Sequence, residues 1–184
     1  MDIQYFTKRR LSTTILFIAL LLVCASPNSS ARQVDPGTRT ELRSKDSVLR
    51  IFYESLSFPE GKSPDWDSFR NLFASPASPC IRIAGDSIMQ MDREGFIRFF
   101  SGRIKQGTLR SFEEKEIKRT SESYGSLAQV FSTYVKQMNP ADGAKPIQGI
   151  NSFQLFFKNN RWWIASVMWQ DESPEKPIPE KYLR

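Results

Sequence analysis

The 184-residue chain carries 26 Lys+Arg against 20 Asp+Glu, a formal net charge of +6, and contains no histidine. Its basic residues alternate with acids instead of forming a stripe, which argues against a nucleic-acid partner. Without histidine there is no Ser-His or Cys-His pair and no histidine-based metal site, and no Gly-rich phosphate loop or cysteine pair offers a metal or cofactor site instead.

The first 31 residues read as a secretory signal. Lys8-Arg9-Arg10 is a basic lead, Leu11 to Ala25 is an apolar run broken by Ser12-Thr13-Thr14, and Ser29-Ser30-Ala31 supplies small residues for cleavage after Ala31. Val23-Cys24-Ala25 is a second cleavage candidate. Spanning a bilayer takes about 20 apolar residues, more than this run offers, so no stable membrane span is expected after cleavage. Acylation at Cys24 is disfavoured because Val23 is large for the position before a lipidated cysteine. Export to a periplasm or to the outside is therefore the expectation. Cleavage removes three basic residues and one acidic one, leaving 23 against 19 and a net charge of +4. Cys80 is then the one remaining cysteine and reads as a small buried hydrophobe.

Residues 32–40 are a polar lead-in containing Pro and Gly. From Glu41 to Ser57, Leu42, Val48, Leu49, Phe52 and Leu56 recur at helical spacing. Pro59 to Lys62 ends that helix, and Ser63-Pro64-Asp65 reads as a cap, a first-turn proline and an acid opening a second one with Trp66, Phe69, Leu72 and Phe73 inward. Ser75 to Pro79 is a loop and Cys80 to Ala84 a short strand. Asp92 to Lys105 is a third helix, with Phe96, Phe100 and Ile104 on one side and Gly107 to stop it. Then the period changes. Leu109 to Ser121 is a strand whose Glu113, Glu114 and Glu116 read as part of a solvated edge among Lys115, Lys118 and Arg119. Ser126 to Met138 alternates, with Ala128, Val130, Ser132 and Tyr134 on one face. Residues 139–146 form a loop. A closing hairpin joins 153–157 to 162–169 through Lys158-Asn159-Asn160-Arg161, where Asn tolerates the positive φ of a tight turn. Residues 173–184 are a Pro- and charge-rich tail.

Helices followed by long antiparallel strands make an α+β plan. With FYESL (Phe52–Leu56), GFIRFF (Gly95–Phe100), YGSLAQVFSTYV (Tyr124–Val135) and FFKNNRWWIASVMWQDE (Phe156–Glu172), the chain resembles the nuclear-transport-factor-2-like superfamily, in its secreted, SnoaL-like and ketosteroid-isomerase-like branches. The likeness spans residues 41–172. It implies a cone-shaped fold, with three N-terminal helices packed in a strongly curved mixed or antiparallel sheet around an apolar pocket. It also implies a homodimer across the convex sheet.

For a ketosteroid-isomerase type of proton transfer, the resemblance points to Asp86 as base and Tyr53 as hydroxyl donor, with Tyr134 a second donor. Each also has a plain structural reading, Asp86 as a solvated loop acid and the tyrosines as ordinary helix or strand residues. Arg82, Gln154 and Ser166 are polar positions among apolar strand neighbours, suited to a pocket wall. The resemblance turns Trp162, Ile164, Ser166 and Met168 toward the cavity and places Trp163 and Trp169 on the dimer surface. The leading expectation is an exported domain binding a small, mostly apolar or weakly acidic molecule without turnover. The alternatives are the isomerase and a dimeric envelope interaction module with a vestigial pocket. No metal or cofactor is expected.

Overall fold

The computed structural model describes residues 41–184, so the expected signal and lead-in lie outside the described residues. Helix α1 is Lys45–Leu56, α2 is Trp66–Leu72 and α3 is Arg93–Lys105; the strands are β1 (Pro79–Ala84), β2 (Ser87–Asp92), β3 (Phe112–Tyr124), β4 (Leu127–Met138), β5 (Ile147–Lys158) and β6 (Arg161–Asp171). The six strands form one sheet in the order β2-β1-β6-β5-β4-β3. Only β1 and β6 run parallel. The α+β plan and the three helices hold.

Local chemistry explains most boundaries. Ser44 caps α1 by accepting from the Asp46 amide, and Asp92 caps α3 by accepting from the Gly95 amide at 2.5 Å. The α2 cap is Asp65, not Ser63. Its carboxylate accepts from both the amide and the hydroxyl of Ser68, so Pro64 precedes the helix instead of opening it. Asn159 and Asn160 both take positive φ, 55° and 62°, as the two-residue turn between β5 and β6 requires. Strand β2 is an addition to the sequence reading. Its SIMQMD segment is mostly exposed and pairs along the edge of β1, so it carries little inward periodicity to announce it.

Two bulges set which side chains face the helices. In β3, Glu116 pairs with Tyr134 and Lys118 with Thr133, leaving Ile117 extra and exposed. In β6, Leu155 pairs with Ile164 and Gln154 with Ser166, leaving Ala165 extra. Each inserted residue bends its strand and reverses the inside-outside alternation beyond it. Ile164 is buried before the β6 bulge, and Val167, not Ser166, is buried after it.

Aromatic rings fill the concave side. Phe69 of α2 is 5.2 Å from Phe96 of α3 and 5.6 Å from Phe52 of α1, and Phe52 meets Phe153 of β5 edge-on at 4.9 Å. Phe100 closes the other end against Phe112 at 5.1 Å. Cys80 is buried as expected, which pushes its thiol pKa up to about 12.

The C-terminal segment is not a free tail. Tyr182 stacks on Phe131 at 5.7 Å, and its carbonyl accepts from Thr133 Oγ1 at 2.7 Å, so residues 173–184 lie back over part of the outer sheet face.

Phe69 joins all three helices, so Phe69→Ala is expected to destabilise the domain by about 3–5 kcal/mol in urea unfolding. Ile88→Ala, at a position 71% exposed, is the control and should stay within about 0.5 kcal/mol of the parent.

Candidate functional site

A cavity of about 330 Å³ opens between α3 and the concave sheet, within the size range of small-molecule pockets. Its walls are Phe52, Phe69, Phe96, Phe100, Phe112 and Trp169. The α3 motif supplies two of these because Phe96 and Phe100 are one helical turn apart on the inward face. Trp169 turns inward because of the β6 bulge and meets Phe96 edge-on at 5.7 Å.

Six polar side chains share this apolar lining: Arg82, Arg103, Glu114, Lys136, Asn151 and Asp171. Glu114 is buried. Asn151 Nδ2 donates to Glu114 Oε1 at 2.9 Å and to Tyr53 Oη at 3.1 Å. Tyr53 Oη lies 2.6 Å from Ser132 Oγ, and Ser132 Oγ donates to Glu116. The one hydroxyl proton of Ser132 is thereby committed, so Tyr53 is the donor in their bond. Glu116 is in turn clasped by Arg119, which also pairs with Asp46. A second knot lies beside the first: Tyr134 Oη and Lys136 Nζ both donate to Asp171 Oδ1, each at 2.5 Å. Gly149 makes that knot sterically admissible, because a Cβ there would collide with the Tyr134 phenol.

Burial lifts the Glu114 carboxyl from its ordinary 4.5 to about 7. Lys136 and the Asn151 hydrogen bond pull it down, while Asp171 adds to the rise. Burial also raises Tyr53 and Tyr134, with Glu114 adding to the first and Asp171 to the second. Both phenols therefore stay protonated.

Of the residues expected at the site, Arg82 does line the cavity. Tyr53 and Tyr134 are buried behind its wall, with their hydroxyl groups engaged as described. Asp86 lies in the exposed turn joining β1 to β2 and does not line the cavity. Gln154 and Ser166 pair with each other on the outer face, and Met168, 41% exposed, is outside as well. The Ala165 bulge is the reason: it turns Val167, Trp169 and Asp171 inward where unbroken alternation would have presented Ser166 and Met168. Trp169 is thus a cavity residue, not part of an outer surface. Trp163 does face outward. It is opposite Phe156 in the register, beneath the Arg161 guanidinium at 3.7 Å, and donates through Nε1 to the Lys158 carbonyl.

Glu114, Asn151, Lys136, Asp171 and Arg103 are additions to the sequence reading. Glu114 was within reach of it, since it is two residues beyond the buried Phe112 on a strand and so shares its face.

No protein-family model matches the sequence, and no curated protein matches it significantly. Solved structures do. A protein of unknown function with a cystatin-like fold from Nostoc punctiforme superposes with a TM-score of 0.53 at 11% identity, covering 70% of this chain and 89% of that one. A proposed dehydratase of the NTF2-like family from Streptomyces avermitilis gives 0.52 at 14%, covering 74% and 98%. A protein of unknown function from Mycobacterium tuberculosis gives 0.54 at 13%, covering 73% and 78%. At such identities the likeness carries the fold and no activity.

The raised Glu114 pKa makes stability depend on pH with a definite sign. A carboxyl whose folded pKa exceeds its unfolded value contributes fully below about 4.5, and that contribution is lost as pH rises toward about 7. The loss should be on the order of 3 kcal/mol. No histidine titrates in the same window. Urea unfolding across pH 4 to 8 should therefore show a declining limb that Glu114→Gln flattens.

Proposed function

Taking the nuclear-transport-factor-2-like fold as the premise, we propose that this is an exported domain that holds a small, mostly apolar molecule in the aromatic cavity without turning it over. One observation carries the reading: the cavity is open and apolar-walled, while the tyrosine hydroxyls that catalysis would require are committed elsewhere. Proton transfer of the ketosteroid-isomerase type needs a carboxylate base together with hydroxyl or carboxyl donors facing the developing enolate. Tyr134 donates to Asp171, and Tyr53 donates to Ser132. An open volume of about 330 Å³ weighs against a vestigial pocket. The basic and apolar leader with its small-residue cleavage site supports export.

One observation favours a second reading. Glu114, with a pKa near neutrality on an apolar wall, has the poise of a general base, and the isomerase proposal would pass to it from Asp86. A homodimer is also proposed, through the outer row of Leu127, Phe156 and Trp163, which are neighbours in the strand register.

Native mass spectrometry of the protein purified from its own host tests binding and assembly together. The expected spectrum shows a dimer, disrupted by Trp163→Glu, with a reproducible small-molecule adduct. A bare monomer would count against both proposals. For the second reading, deuterium exchange at carbon next to the carbonyl of small apolar ketones is followed by NMR. The binding reading expects no protein-dependent exchange. Exchange that falls at least about 100-fold in Glu114→Gln would replace it with proton transfer.

A further inference from the structure

The cations of the cavity are not balanced by its acids. Lys136 is paired with Asp171, which also accepts from Tyr134. Arg82 Nη2 stands 3.9 Å from Asp171 Oδ2, outside hydrogen-bond distance. Arg103, in the last turn of α3, has no carboxylate partner among the described residues; both its Nη atoms approach only the Met138 thioether sulfur, at 3.9 Å. A thioether is a weak acceptor, and a half-buried guanidinium brings five N–H donors that need stronger ones. Three cations thus face two carboxyl groups on this wall. Even with both carboxyls ionised, a positive charge is left over, and it sits beside aromatic rings that cannot neutralise it.

We propose that the molecule held in the cavity is an apolar carboxylate, its ring or chain among Phe69, Phe96, Phe100 and Phe112 and its carboxylate accepting from Arg103, with Arg82 adding a second positive charge. This rests on the cavity being a binding site, as proposed above, and specifies the chemistry of its occupant. A planar guanidinium recognises a carboxylate through two parallel N–H···O bonds, which a neutral amide of the same shape cannot reproduce. Arg103 acts as the principal anchor because it has no internal acid to give up. Arg82 must share with Asp171, so its contribution is smaller. Discrimination comes from the head group and not from the walls, since the apolar part packs equally well in either case.

The test uses matched pairs of probes, 2-naphthylacetate with 2-naphthylacetamide and decanoate with decanamide, titrated calorimetrically into the protein purified from its own host. At least one carboxylate should bind about 10-fold or more tightly than its amide. Arg103→Met should reduce that preference to about 3-fold or less without changing amide affinity, Arg103→Lys should restore part of it, and Arg82→Met should have a lesser effect. Circular dichroism and the thermal midpoint verify that each variant is folded. Equal binding of acid and amide overturns the carboxylate assignment while leaving the cavity reading intact. A preference that survives in both arginine variants overturns the role given to these residues. Absence of binding by all four probes overturns the proposal, and a host-derived adduct in native mass spectrometry then decides separately whether the cavity binds at all.

Discussion

The amide of Asn151 connects the interior. One nitrogen donates to Tyr53 on one side and to Glu114 on the other, joining α1, β3 and β5 at the back of the cavity. Buried polar groups are tolerated only when paired, and here each satisfies the next: Asn151 to Tyr53, Tyr53 to Ser132, Ser132 to Glu116. The direction of the chain is fixed by the Ser132 proton, which leaves Tyr53 a donor toward Ser132 and an acceptor toward Asn151. Arg119 clamps the far end, at the surface. The near end is the Glu114 carboxyl, held at a defined place on the cavity wall. Losing any one link would leave a buried donor or acceptor unpaired, at a cost of about 1–3 kcal/mol.

The two bulges determine what else joins that wall. Ile117 and Ala165 are each the extra residue in their strands, and both are displaced from the regular ladder. Beyond Ala165 the faces of β6 exchange, bringing Trp169 and Asp171 to the cavity and putting Met168 outside. Beyond Ile117 the shift allows Arg119 to reach Glu116 across the same concave surface. Each effect comes from a single inserted residue in its strand.

This explains how much could be read from the chain alone. The helices were legible because Val48, Phe52 and Leu56, then Phe69 and Leu72, then Phe96 and Phe100 recur at helical spacing, and the closing hairpin because two adjacent asparagines mark its turn. Arg82 was legible as a polar residue within an apolar strand. The inward set of β6 was not, since an alternation rule carried across Ala165 assigns every later residue to the opposite face. Glu114 was hidden differently. Glu113, Glu114 and Glu116 look like a solvated run by composition, and only the two-residue period from Phe112 separates Glu114 and Glu116 from Glu113. Pairings such as Asn151 with Glu114, or Lys136 with Asp171, join residues 35 or more apart in the chain and leave no local signal.

The open volume itself follows from the kind of side chain around it. Phe and Trp have few rotamers, and here the rings brace one another, Phe69 on Phe96, Phe96 on Phe100 and on Trp169, Phe100 on Phe112. Flexible aliphatic chains could swing into a gap of this size; a propped ring cannot without breaking contacts on its other face. Behind the rings the polar groups are equally immobile, because Tyr134 is lodged over Gly149 and Asn151 has both amide protons engaged. Rigid walls and a rigid polar back together keep the space from collapsing. Arg103, which has no carboxylate partner among the described residues, can then turn toward what enters, while the groups behind it remain where folding placed them.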